Sequence, residues 1–320
     1  MLKIKSEMLE KSSKSHAAPE LWKMILYFII VFLIIALVES LVPTIAKFDT
    51  LKEIYLKDYS GEFLLKESME RSKQFNAVPG VLEISLLGTI SATLISMFYC
   101  RCIEMRSLAS MGVTKKKAVP SYLLGMFIGM AVFSLIVLIS AVTGVQRLEL
   151  CDDINWKAIL IFIPCWFLQG MSEEFTFRGY LMTTVGGKHS PTTALIVSSL
   201  GFALAHSINP GFNLLVLFNL ALFGLFAGMY MLLTDNIWGV CAIHSVWNCV
   251  QGNFYGISVS GMEKMDTVFR SVHVSDSTFL TGGDFGMEGS IFTTVVLGGG
   301  CFILLKLLQK KNSEPETEKK

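Results

Sequence analysis

Eight windows of mostly apolar residues run along the chain, near 21–43, 80–100, 120–144, 158–183, 192–208, 212–233, 237–256 and 290–308. A window of about 20 apolar residues is long enough to cross roughly 30 Å of hydrocarbon. The pattern predicts an all-α fold, a polytopic membrane helix bundle of about eight transmembrane spans. The first window follows some twenty polar residues, with no small-residue cleavage site after a short apolar core, and is expected to be an anchor rather than a removable leader. Composition agrees with this reading: hydrophobic residues make up 52% of the 320 positions and the mean hydropathy is +0.55, more than a soluble domain of this length needs for its core.

One membrane domain over 21–308, with its candidate chemistry confined to about 155–256, is the organisation expected. It stands between a cytoplasmic N-terminal flank, 1–20, and a disordered cytoplasmic tail, 309–320. Orientation follows from basic residues in the flanks. Lys3, Lys5, Lys11 and Lys14 precede the first window, Arg101, Arg106 and Lys115 to Lys117 separate the second from the third, and Lys306, Lys310 and Lys311 close the last. With eight spans these fall on one side, so both termini are expected in the cytoplasm of a cell-membrane protein, with 44–79 outside. A net charge of +1 argues against nucleic acid as a partner. The seven cysteines form no C-x-x-C pair and are read as packing residues, with Cys100 and Cys102, at the cytoplasmic end of the second window, as candidates for palmitoylation.

The polar residues that break the apolar pattern carry the candidate chemistry. A charge at the bilayer centre costs roughly 2.5 to 3.5 kcal/mol on insertion scales, so ionisable residues there mark functional sites or the ion pairs that build them. Glu173, Glu174 and Arg178 lie on the fourth window, Phe202 and His206 on the fifth, His244 and Asn248 on the seventh. Positions four apart share a helix face, so Glu174 is expected to pair with Arg178. Glu173, turned by about 100°, is left as the free carboxylate. Measured along each helix from its expected end, Glu173 and His244 fall about 10 Å from the cytoplasmic edge and His206 about 20 Å, a mismatch of one or two turns.

The ordered set E-E-x-x-x-R, F-x-x-x-H and H-x-x-x-N on successive helices resembles the CPBP intramembrane endopeptidases, which include the type II CAAX prenyl proteases and abortive-infection-like membrane proteins. The resemblance covers roughly residues 120 to 256. It implies a peptide hydrolase with a conical catalytic cavity formed by spans four, five and seven. Glu173 and His206 would activate a water, His244 and Asn248 would stabilise the oxyanion, and Glu174, Arg178 and Phe202 would support them. The implied substrate is a membrane-associated peptide or protein near the membrane surface. No cofactor is expected; the alternative is zinc, held by Glu173, His206 and His244, although no H-E-x-x-H motif is present. The alternative function is a non-catalytic scaffold, regulator or immunity protein that binds a partner in the same polar cavity. Access is expected from the cytoplasm, through a mouth near Thr183, Thr184 and the Gly186-Gly187 turn.

Overall fold

The computed structural model describes residues 4–56, 65–262 and 265–313. In chain order its elements are α1 (Glu7–Ser13), α2 (Leu21–Ala46), α3 (Phe48–Leu56), α4 (Leu65–Asn76), α5 (Val81–Gly88), α6 (Ile90–Phe98), α7 (Ala118–Val142), β1 (Gln146–Leu150), α8 (Trp156–Glu174), α9 (Thr183–Lys188), α10 (Pro191–Ala205), α11 (Leu214–Thr234), α12 (Ile237–Cys249), β2 (Phe269–His273), α13 (Thr278–Thr281) and α14 (Ile291–Ser313). Polar side chains set where the interior helices begin. Asn155 caps α8 through Ala158 N–H, Ser190 caps α10 through Thr193 N–H ahead of Pro191, and Asn213 and Asn236 do the same for α11 and α12.

All eight apolar windows are helical, but among the described residues five helices are both long and apolar enough to cross a membrane: Leu21–Ala46, Val81–Ile103, Ala118–Val142, Leu214–Thr234 and Ile291–Ser313. The other three windows differ for a physical reason. α10 is a shorter apolar helix, and α8 and α12 carry polar side chains that face protein; nearly every residue of α12 is buried. A helix wrapped by neighbours does not need an uninterrupted apolar surface.

Close packing at glycines pulls α12 into the centre. A Cβ on Gly129 of α7 would meet Ile243 O at 2.4 Å, and one on Gly170 of α8 would meet Ser245 N at 2.6 Å. Small residues of this kind let membrane helices approach backbone to backbone.

The turns between helices gather into two opposite faces. On the first, Ser12 Oγ donates to Thr183 O, Ile237 N–H to Gly112 O, and Lys311 Nζ to Asp235, which also receives Ser6 Oγ. On the second, Val274 N–H donates to Val145 O, Asn209 Nδ2 to Ser260 O, and Asn219 Nδ2 to Ser290 O.

Several expectations change here. The fold is not purely helical: β1 and β2 pair antiparallel on the second face, Gln146 opposite His273 and Leu150 opposite Phe269, an excursion no long apolar window signals. The expected flank at 1–20 contains α1, which packs on α9 through Leu9 and Ser12. The expected disordered tail begins too early, since α14 runs to Ser313; 314–320, like Lys3, lies outside the described residues. Cys100 is fully buried with its sulfur receiving a hydrogen bond from Arg106, which removes it as a lipidation site, while Cys102 is exposed. Arg106 is no surface topology charge either. It is buried, paired with Glu104 through Nε at 2.5 Å and bonded to Ser110, Thr183 and Thr184.

Candidate active site

Glu173 and Glu174 close the last α-helical turn of α8, and the chain then widens into a π-helical segment, Phe175–Met182. Such insertions shift the phase of the following side chains and are frequent at functional sites. A second π-turn, Val250–Phe254, follows Asn248 on the other helix. His206 sits at the C-cap of α10, not inside the helix. The mismatch in depth expected from ideal spans therefore disappears: Glu173 Oε2 lies 3.8 Å from His206 Nε2 and 3.7 Å from His244 Nε2.

Each side chain is held by a specific partner. Nδ1 of His206 is 2.9 Å from Phe202 O, one turn back. A carbonyl only accepts, so Nδ1 carries the proton and Nε2 is the ring atom turned to Glu173. Nδ1 of His244 is 2.7 Å from Glu174 Oε1, with the same consequence. Glu174 also meets Arg178 Nη1 at 3.1 Å, both side chains fully buried. The guanidinium lies 4.4 Å from the centre of the Phe202 ring, a cation–π contact. Phe202 in turn packs edge-on against Phe177 and His244.

Gln169, one turn before Glu173, was not singled out from the sequence. Its Nε2 donates to Glu173 Oε1 and its Oε1 accepts from Asn248 Nδ2 at 2.7 Å. This relay joins α8 to α12 and leaves Glu173 Oε2 as the oxygen without a protein hydrogen bond, although it is buried. The i, i+4 spacing of Gln169 and Glu173 was the available signal. The partner Asn248 was visible only as part of its own motif.

These residues face a cavity of about 210 Å³. Its wall is wider than the three expected spans. Phe32 and Glu39 of α2, Thr89 and Ala92 beside and on α6, Asn219 and Phe223 of α11, and Leu297 of α14 complete it. The cavity extends from Glu173 to Asn209, Ser260, Met262 and Glu288, all on the second face. Two glutamates there, Glu39 and Glu288, were missed because the first sits in an otherwise apolar window and the second in a loop with no helical pattern. Glu288 Oε2 accepts from Ser260 N–H and Oγ, tying the loop after α12 over the site. The mouth expected at Thr183 and Thr184 is overturned: both are buried and bonded to the Arg106–Glu104 pair on the first face.

Two imidazoles and a carboxylate are chemically a zinc donor set. Tetrahedral ligands at about 2.0 to 2.1 Å from zinc stand about 3.3 Å apart, whereas the donors here are 3.7 and 3.8 Å apart. Among the described residues no three His, Cys, Asp or Glu side chains converge to hold a metal ion, and Cys241, beside His244 in sequence, is buried in the core.

Apolar spanning helices around a buried carboxylate, two histidines and an amide define a multi-pass membrane protein with a polar intramembrane site. Comparison with known families adds one similarity. Residues 155–250, under a third of the chain, match the family described as type II CAAX prenyl endopeptidase Rce1-like. Neither a curated protein nor a solved structure matches the chain.

Proposed function

We propose that the protein is a multi-pass endopeptidase with eight membrane-crossing helical segments, cutting peptide bonds near the membrane surface with a water activated by Glu173 and His206. The convergence of Glu173 Oε2 on two imidazole Nε2 atoms at 3.7 and 3.8 Å carries the reading. A water oxygen about 2.8 Å from Glu173 Oε2 and from His206 Nε2 satisfies ordinary hydrogen-bond lengths. Glu173 accepts the water's proton as the oxygen attacks the scissile carbonyl, and the same proton can pass to the leaving amine. Desolvation in the cavity strengthens the field each group exerts on the reacting atoms.

His244 and Asn248 line the other side. In this role His244 donates from Nε2 to the developing oxyanion, with Glu174 balancing the imidazolium through Nδ1. Asn248 donates one amide hydrogen to Gln169 and has the second for the substrate. Arg178 contacts no reacting atom; it holds Glu174 in place. The match of residues 155–250 to a protease family supports the reaction class, and the 3.7 and 3.8 Å spacings leave room for a bridging water.

The deciding experiment is Glu173→Gln in purified protein against a peptide library. Glutamine keeps the size and the bond to Gln169 but is no base for a water proton, so cleavage is expected to vanish while insertion and purification stay normal. Full residual cleavage would sink the mechanism.

A further inference from the structure

If the cavity is a proteolytic site, its place in the bundle decides which side of the membrane supplies the substrate. Glu173, His206 and His244 lie in a cavity that extends to the second face, where Asn209, Ser260 and Glu288 border it. His206 ends α10 as the chain turns on that face, and Ile208, two residues on, is 91% exposed. The first face, which carries α1 and the C-terminal end of α14, is closed over Thr183 and Thr184.

Basic residues distinguish the two faces. Segments on the first contain Lys5, Lys11, Lys14, Arg101, Lys115, Lys116, Lys117, Lys188, Lys310 and Lys311. On the second, 143–155 contains only Arg147 and 206–213 contains none, while 47–56 and 65–80 together mix five Lys and Arg with four Asp and Glu. Lysine and arginine in short flanks are retained in the cytoplasm, which makes the first face cytoplasmic and the second extracytoplasmic.

The charge of the cavity narrows the substrate. Glu39, Glu173 and Glu288 line it, and no lysine or arginine does among the described residues; Arg178 is sealed behind Glu174. A free carboxyl terminus entering this space would meet carboxyl groups and no lysine or arginine, with His244 already paired to Glu174, and unpaired buried charge is strongly disfavoured.

We propose that the site takes its substrate from the extracytoplasmic side, as an internal, neutral to basic juxtamembrane segment of a membrane-bound protein. This rests on the proteolytic reading, but the labelling arm of its test does not. In intact cells, the variant carrying Ile208→Cys and Cys151→Ser is treated with a membrane-impermeant maleimide and mapped peptide by peptide. Labelling of position 208 without permeabilisation, with native Cys102 reacting only after lysis, is expected; the reverse pattern overturns the sidedness and leaves proteolysis standing. In detergent, matched neutral peptides with free and amidated carboxyl termini are compared for Glu173-dependent cleavage. Values of kcat/KM within about threefold are expected, and a loss of about tenfold or more on amidation, some 1.4 kcal/mol, overturns the internal-segment assignment. Absence of Glu173-dependent cleavage of any peptide would remove the proteolytic reading, with the labelling still reporting the face.

Discussion

Glu173 and Glu174 are neighbours in sequence, yet their carboxyl groups touch different partners. Glu174 is fully enclosed by Arg178 and His244, while Glu173 keeps one oxygen on Gln169 and turns the other to the cavity. Different losses should follow. His206→Ala is expected to be nearly inactive, because it removes the imidazole proposed to hold the water. Asn248→Ala should lose about 2 to 4 kcal/mol of transition-state stabilisation with KM little changed, as measured by steady-state kinetics; binding defects of that size with normal turnover would favour a scaffold that binds a partner. Gln169→Leu keeps the volume but frees Glu173 Oε1, so kcat should fall while the thermal transition moves little. Purified protein should keep its activity after dialysis against a strong chelator and carry much less than one equivalent of zinc. Chelator inhibition reversed by zinc, with Glu173, His206 and His244 each needed to retain it, would make these three residues ligands.

Among the elements, α12 matters most, because the spacing of Glu173 and His244 depends on how closely it approaches α8. Gly170→Val would place carbon against the Ser245 backbone, contacted already at 2.6 Å by a Cβ. The helices must part, and overpacking of this kind costs about 1 to 3 kcal/mol. Both the unfolding temperature in detergent and kcat should drop. Gly298→Ala on α14, where an added Cβ meets nothing within 4 Å, serves as the control and should be neutral or slightly stabilising by about 1 kcal/mol or less. Equal effects of the two substitutions would refute the argument from close approach.

Across the whole molecule, polar chemistry is divided between the two faces. The second face has the cavity; the first has a buried Arg106–Glu104 pair that ties the end of the α5–α6 rod to Thr183 and Thr184, with α1 docked on α9 beside it. Arg106→Ala strands Glu104 in the interior, and breaking a buried pair costs about 3 to 5 kcal/mol. Thermal unfolding in detergent should report a large destabilisation, partly recovered when Glu104→Leu is added. A stable Arg106→Ala protein would mean that water reaches this face.

The apolar windows and the spacing of Glu173, Glu174, Arg178, Phe202, His206, His244 and Asn248 were legible in the sequence, because helical periodicity and the cost of charge in lipid act locally on a single segment. The pairing of Glu174 with Arg178 followed from one helical turn. What needed the tertiary structure was every relation between segments. The joining of Gln169 to Asn248, the place of Glu39 and Glu288 in the cavity wall, the β1–β2 pair and the burial of Arg106 each depend on residues far apart in the chain. The depth of His206 and the face to which the cavity runs were misread along ideal helices, because α10 stops at Ala205 and π-turns follow Glu174 and Cys249. Local chemistry named the catalytic candidates; the packing of helices around α12 decided that they meet, and on which side.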